Sequence, residues 1–143
     1  MSTTTSTASP TGLDRIAGRE REALLRLALR LDAVVTAANG AAYLVLAGPL
    51  EDLLGLEAAV LRPAGALLLV FAAAVWLVAA RTRISRAPVL AVIAVNALWV
   101  VASLALAVFG WGSPDTAGTI WVVLQALVVA GFAELQAVTR PRA

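Results

Sequence analysis

A chain of 143 residues that is 61% hydrophobic and only 14% charged exceeds the ~45–50% apolar content of soluble domains and has too little polar surface to cover itself in water. Its formal charge of +2 is eleven arginines against nine carboxylates, because lysine and histidine are absent and so is cysteine. Those absences exclude disulfides, His- or Cys-ligated zinc, histidine-ligated haem, thiol nucleophiles and lysine Schiff bases.

Residues 1–12, "MSTTTSTASPTG", are polar and Ser/Thr-rich, with neither a basic n-region nor an apolar h-region. They predict a disordered cytoplasmic tail and no cleavable signal peptide, so the first span is expected to act as an uncleaved anchor. Residues 13–28 place Arg15, Arg19, Glu22 and Arg26 on one helical face that continues to Arg30, with Ile16, Leu24, Leu27 and Leu31 on another. This spacing predicts an amphipathic helix at the interface, leucines toward lipid and arginines near phosphates. It serves either as a snorkelling extension of the first span or as a partner-docking helix.

Apolar runs near the ~18–20 residues needed to cross a ~30 Å hydrocarbon layer follow at about 29–47, 57–80, 88–109 and 118–138. Each is continuous where a barrel strand would alternate, so each reads as a helix. Short connections make successive helices antiparallel neighbours. The expected fold is thus all-α: a four-transmembrane-helix antiparallel bundle over 29–139 with an N-terminal cytoplasmic amphipathic helix and a cytoplasmic tail at 140–143.

Arginine sets the expected orientation. Ten of the eleven lie before or at the very start of the first span, between the second and third, or after the fourth, whereas the loops "GPLEDLLG" and "WGSPDTAG" carry Glu51, Asp52 and Asp115 and no arginine. The positive-inside rule puts both termini in the cytoplasm of a plasma-membrane, multi-pass protein. The basic balance then reflects orientation and anionic lipids at the cytoplasmic face, and nucleic acid is not an expected partner.

Loop chemistry fits these boundaries. Gly48 and Pro49 read as a stop and restart, "PLEDLLG" as a short helix or turn, and Asp115 or Thr116 as a cap for the last helix. Pro63 either occupies a first turn or kinks a helix begun at Glu57. Trp111 and Trp121 are expected at interfacial depth.

Polar residues inside the spans form two stripes: Asp32, Thr36, Asn39 and Tyr43 on the first helix, and Asn96, Trp99 and Ser103 on the third. Gln125 and Glu134 add polar groups on the fourth. Lipid offers none of these a partner, so they are expected to face the bundle interior as an intramembrane polar network. Counting rise pairs Asn39 with Asn96 at middle depth, Ser103 with Gln125 farther out, and Asp32 with Glu134 near the cytoplasmic end. Arg62 alone breaks the arginine pattern. At the outer end it is expected to snorkel or to pair with Glu57, Asp52 or Gln125 in an interfacial salt bridge, with anion binding as the alternative.

The segments "LDAVVTAANGAAYL", "LRPAGALLLVFAAAVWLVA" and "VNALWVVASLAL", with their Asn-x-x-Trp-x-x-x-Ser element, resemble small uncharacterised four-helix integral membrane proteins of actinobacteria. The resemblance covers about residues 25 to 139. It implies topology and provenance and carries over no site. Small multidrug exporters also have four spans, but they use a carboxylate deep in the first helix and an antiparallel dimer. Asp32 sits toward the cytoplasmic end, and the arginine bias favours a single orientation.

No paired-carboxylate or Ser-base signature and no phosphate loop appears, so the chain is expected not to be an enzyme and to bind no cofactor or metal. A structural, accessory or interaction subunit is the expected class, with a small transporter or channel component as the alternative. Alanine ridges at Ala33, Ala37 and Ala41 and at Ala126 and Ala130 suit a second copy or another membrane protein as partner.

Overall fold

The computed structural model describes residues 11–142. Of the tail expected over residues 1–12, all but Thr11 and Gly12 lies outside the described residues, as does Ala143. Among the described residues the regular elements are five α-helices: α1 Gly12–Val45, α2 Ala47–Leu54, α3 Ala58–Ala80, α4 Arg86–Phe109 and α5 Thr116–Thr139.

Helix α1 opens on a capping box. Thr11 Oγ1 accepts from the Asp14 amide at 3.3 Å, and the Asp14 carboxylate accepts from the Thr11 amide at 3.1 Å, which satisfies donors that a helix start leaves orphaned. The helix then runs unbroken for 34 residues, roughly 50 Å at ~1.5 Å per residue. The expected boundary between an amphipathic helix at 13–28 and a span at 29–47 is therefore absent. "LLRLALRLDA" (24–33) is built of strong helix formers with nothing to end the helix, and the amphipathic stretch is the first half of α1.

The end of α1 falls at Val45, two residues before the expected span limit. There the chain bends by 94° into α2. Pro49 supplies the reason: in a continued helix its ring would clash with the Val45 carbonyl and leave that carbonyl unpaired. In the first turn of α2 its missing N–H costs nothing. Pro63, by contrast, is the sixth residue of α3, inside the helix, where it removes the donor that the Ala59 carbonyl would use.

Buried residues on α3 recur at Leu61, Gly65, Leu68, Ala72, Val75 and Ala79. Alternating steps of four and three give the 3.5-residue period of a coiled-coil seam. They meet a matching stripe on α1 that includes Leu25, Leu29, Ala33, Gly40 and Tyr43. Toward the end of the seam that holds Tyr43 and Leu61, the two backbones touch: a Cβ on Gly65 would stand 2.6 Å from the Gly40 carbonyl oxygen, and one on Gly40 would stand 2.8 Å from that of Gly65. Small residues thus bring the helices together where hydrophobic exclusion supplies no drive.

Helices α4 and α5 form the second close pair. The pairs join mainly through α1 and α5, whereas α3 and α4 touch only lightly. At the arginine-bearing end Leu25, Leu29, Val75, Val89 and Val92 share one apolar cluster; at the opposite end Tyr43, Leu54, Leu56, Leu61 and Val122 share another.

Helix α2 closes that opposite end. It stops at Gly55, whose φ of 72° is left-handed and favours glycine. The Asp115 amide donates to the Leu54 carbonyl at 3.0 Å, and a Cβ on Gly118 would lie 2.0 Å from that same oxygen. Asp115 caps α5 by accepting from the Gly118 amide at 2.7 Å, and Glu51 accepts from the Ala58 amide at the start of α3 at 2.9 Å. Glu51 and Asp115 of the two loops are therefore helix caps.

Candidate functional site

Two groups of polar side chains cross the interior. Nearer the arginine-bearing end, Asp32 Oδ2 accepts from Asn96 Nδ2 and from Gln136 Nε2, both at 2.7 Å, and Asp32 Oδ1 accepts from Thr36 Oγ1 at 3.1 Å. Asn96 Nδ2 also donates to Gln136 Oε1 at 3.2 Å. One carboxylate thus ties α1, α4 and α5, and both Asp32 and Gln136 are fully buried. The second group lies one to three turns of α1 farther along. Asn39 Nδ2 and Tyr43 OH donate to Gln125 Oε1 at 3.1 and 3.3 Å, and Trp121 Nε1 donates to Tyr43 OH at 2.8 Å.

Placement by rise alone put Asn96 level with Asn39; the hydrogen bonds put it level with Asp32. Asn96 stands about 15 Å of rise beyond Arg86, while Gln136 is about 6 Å short of Arg140, so α4 begins about 9 Å farther out at that end than α5 stops. Such an offset belongs to tertiary packing and cannot be counted from span edges.

Glu134 does not join either group; its side chain is exposed. Gln136, absent from the sequence reading, takes the place beside Asp32. The signal was available in helical phase. Gln136 follows Gln125 by eleven residues, about three turns, whereas Glu134 follows it by nine, half a turn out of phase. Ser103 is buried on α4 but belongs to neither group, and Trp99 packs half-buried against the second apolar cluster.

Arg62 is exposed in the second turn of α3. Its expected salt bridge is not formed: among the described residues the one ion pair is Arg26 with Glu22, at 3.0 Å. Of its three expected partners, Glu57 and Asp52 make no ion pair with it, and Gln125 accepts from Asn39 and Tyr43 instead. Trp111 stacks on Phe109 at 5.2 Å between ring centroids, while Trp121 turns its indole N–H inward to Tyr43.

The arginines near α1 close helix ends. Arg26 donates to the carbonyls of Ala79 and of Arg81, the latter at 2.7 Å, where α3 stops. Arg21 donates to the Val138 carbonyl of α5 at 2.9 Å, and Arg30 lies over the Trp76 ring at 5.9 Å. Cations at helix C-termini satisfy orphan carbonyls and oppose the negative end of the dipole.

Between the two helix pairs, running from the level of Thr36 and Asn96 past the second polar group to α2, lies a cleft of about 600 Å³. Leu68 and Phe71 of α3, Trp99 of α4, Val129 of α5 and Leu50 and Leu54 of α2 give it walls that are almost wholly carbon. Among the described residues no three His, Cys, Asp or Glu side chains converge as metal ligands.

The exterior decides the solvent. Helices α3, α4 and α5 are each long and apolar enough to cross a bilayer, yet at most 28% of their apolar windows is buried within the protein. Leu67, Leu77, Leu98, Val101 and Leu127 all point outward, far more exposed apolar surface than water tolerates. It is a small multi-pass helical membrane protein. Three helices qualify as spans alone, and the bent pair of α1 and α2 makes up to four. Comparison with family models, with curated proteins and with solved structures gave no match to this chain.

Proposed function

We propose that this protein is a non-catalytic accessory or interaction subunit of the plasma membrane, a four-span bundle with both termini in the cytoplasm, of the kind its resemblance to small actinobacterial four-helix proteins suggests. One observation carries the reading: the interior amides and the Asp32 carboxylate bond one another across helices. A transporter or channel needs polar groups left free to replace the hydration of what passes. Here one polar layer ties α1 to α4 and α5, the other ties α1 to α5, and the cleft beside them has walls that are almost wholly carbon. The ten-to-one arginine distribution supports the orientation, and the arginines that cap α3 and α5 also lie where anionic headgroups collect.

Reconstitution tests this directly. Proteoliposomes are expected to pass protons and small cations no faster than protein-free vesicles, and reporter enzymes fused after residue 142 are expected to be active only in the cytoplasm. A flux abolished by Asp32→Asn, in protein that stays folded, would refute the accessory reading in favour of the transport one. A fusion active only outside the cell would overturn the orientation.

A further inference from the structure

We infer that the cleft between the two helix pairs is a lipid site that holds the hydrocarbon chains of a bilayer lipid from the leaflet on the acidic-loop side. The inference rests on the lipid-embedded reading above. Three observations single out that occupant.

The first is access. Val35 of α1, Leu67 of α3, Val95 of α4 and Leu124 and Val128 of α5 line the cleft and are also exposed on the protein's outer surface, from 43% to 63%. The cleft therefore opens sideways between helices, into whatever surrounds them. From above it is roofed by α2 through Leu50, Leu53 and Leu54, which separates it from the aqueous phase on that side.

The second is chemistry. An apolar void does not hold water, because a water molecule there lacks the two to four polar partners it needs. Thr36 and Asn96 of the first polar group and Asn39, Tyr43, Trp121 and Gln125 of the second stand at the wall, each with a bond inside its own group, and what the cleft meets is almost all carbon. A void left empty forfeits dispersion contacts along its whole lining, and in a bilayer the material at hand to restore them is hydrocarbon.

The third is size. The lining runs from Val35 to Tyr43 on α1, about 12 Å of rise, and continues under α2 at Leu50 and Leu54. That depth suits slender flexible chains entering from the side, whereas a helix ~10–12 Å across with its side chains would also have to pass the roof that α2 lays over the cleft. The light contact between α3 and α4 is then the seam through which the chains enter.

Tryptophan reports on this occupant. Trp99 and Trp121 line the cleft and Trp76 and Trp111 do not. The full chain with Trp76→Phe and Trp111→Phe is reconstituted in phosphatidylcholine vesicles whose acyl chains carry bromine, a contact quencher. Strong quenching of the two remaining indoles is expected. Filling the cleft from α1 with Ala42→Phe, or independently from α4 with Val95→Phe, is expected to remove the part that comes from inside, leaving only what reaches the outer edge of Trp121. Native mass spectrometry from mild detergent is expected to show a phospholipid adduct on the parent chain and its loss from both filled variants. Quenching and adduct unchanged by either filling substitution, in protein that unfolds as the parent does, would overturn the site, as would a dimer mass in place of the lipid adduct. Failure of the embedding itself reads differently: outward-facing Trp76, kept as the sole tryptophan, would then escape quenching altogether.

Discussion

Replacing Asp32 by alanine is the most searching test of the interior. Its carboxylate accepts from Asn96 and Gln136 at 2.7 Å and from Thr36 at 3.1 Å. The Thr36 bond lies within α1; interhelical hydrogen bonds in membranes average ~0.6 kcal/mol and reach ~1.7, so the two that cross to α4 and α5 are together worth about 1 kcal/mol. Asn96 retains the Gln136 carbonyl as acceptor, but Gln136 Nε2 loses its only one, and an unsatisfied buried donor adds ~1–3 kcal/mol. Asp32→Ala should therefore destabilise the fold by about 2–4 kcal/mol, on the order of a hundredfold in the folded fraction. Asp32→Asn should cost about 1 kcal/mol or less, because the amide oxygen can still accept from Asn96 and Gln136 while the Thr36 hydroxyl turns to accept from the new NH₂. Reversible unfolding in mixed micelles, followed by circular dichroism, measures both. An alanine cost under about 1 kcal/mol, or an asparagine as damaging as alanine, would refute the reading of Asp32 as a tie between helices.

Other substitutions probe separate links. Gly65→Ala puts a methyl 2.6 Å from the Gly40 carbonyl oxygen and should cost about 1–3 kcal/mol by prying α1 from α3, whereas Gly131→Ala, with open space around it, should be neutral or stabilise by up to ~1 kcal/mol; the same unfolding assay separates them. Gly118→Ala collides with the Leu54 carbonyl and should unseat α2 from α5, read as faster proteolysis of the loop around residues 48–57 in intact vesicles. Gln136→Leu should lower stability by about 1–3 kcal/mol while Glu134→Gln changes it by less than ~0.5 kcal/mol; equal effects would mean that α5 faces the other way. Arg26→Met should fray the end of α3, seen as faster amide exchange at residues 79–81, and leave the Asp32 group intact.

Several features needed no structure. Uninterrupted apolar runs between arginine clusters located the helices, because a backbone in lipid must bond within itself and charges cannot follow it. The three clean spans, the stop near Pro49 and the Asp115 cap followed from local chemistry, and the stripe from Asp32 to Tyr43 followed from helical phase along one helix. Tertiary structure decided what rise and phase along single helices do not contain. It set the offset between α4 and α5, so Asn96 meets Asp32 and not Asn39. It rotated α5 to present Gln136 inward and Glu134 outward, joined the amphipathic stretch to the first span without a break, and turned α2 across the bundle. It also left α3 and α4 apart, and with them the cleft. A sequence states which groups need partners in a solvent that offers none; the relative height, rotation and spacing of the helices decide which partner each group finds.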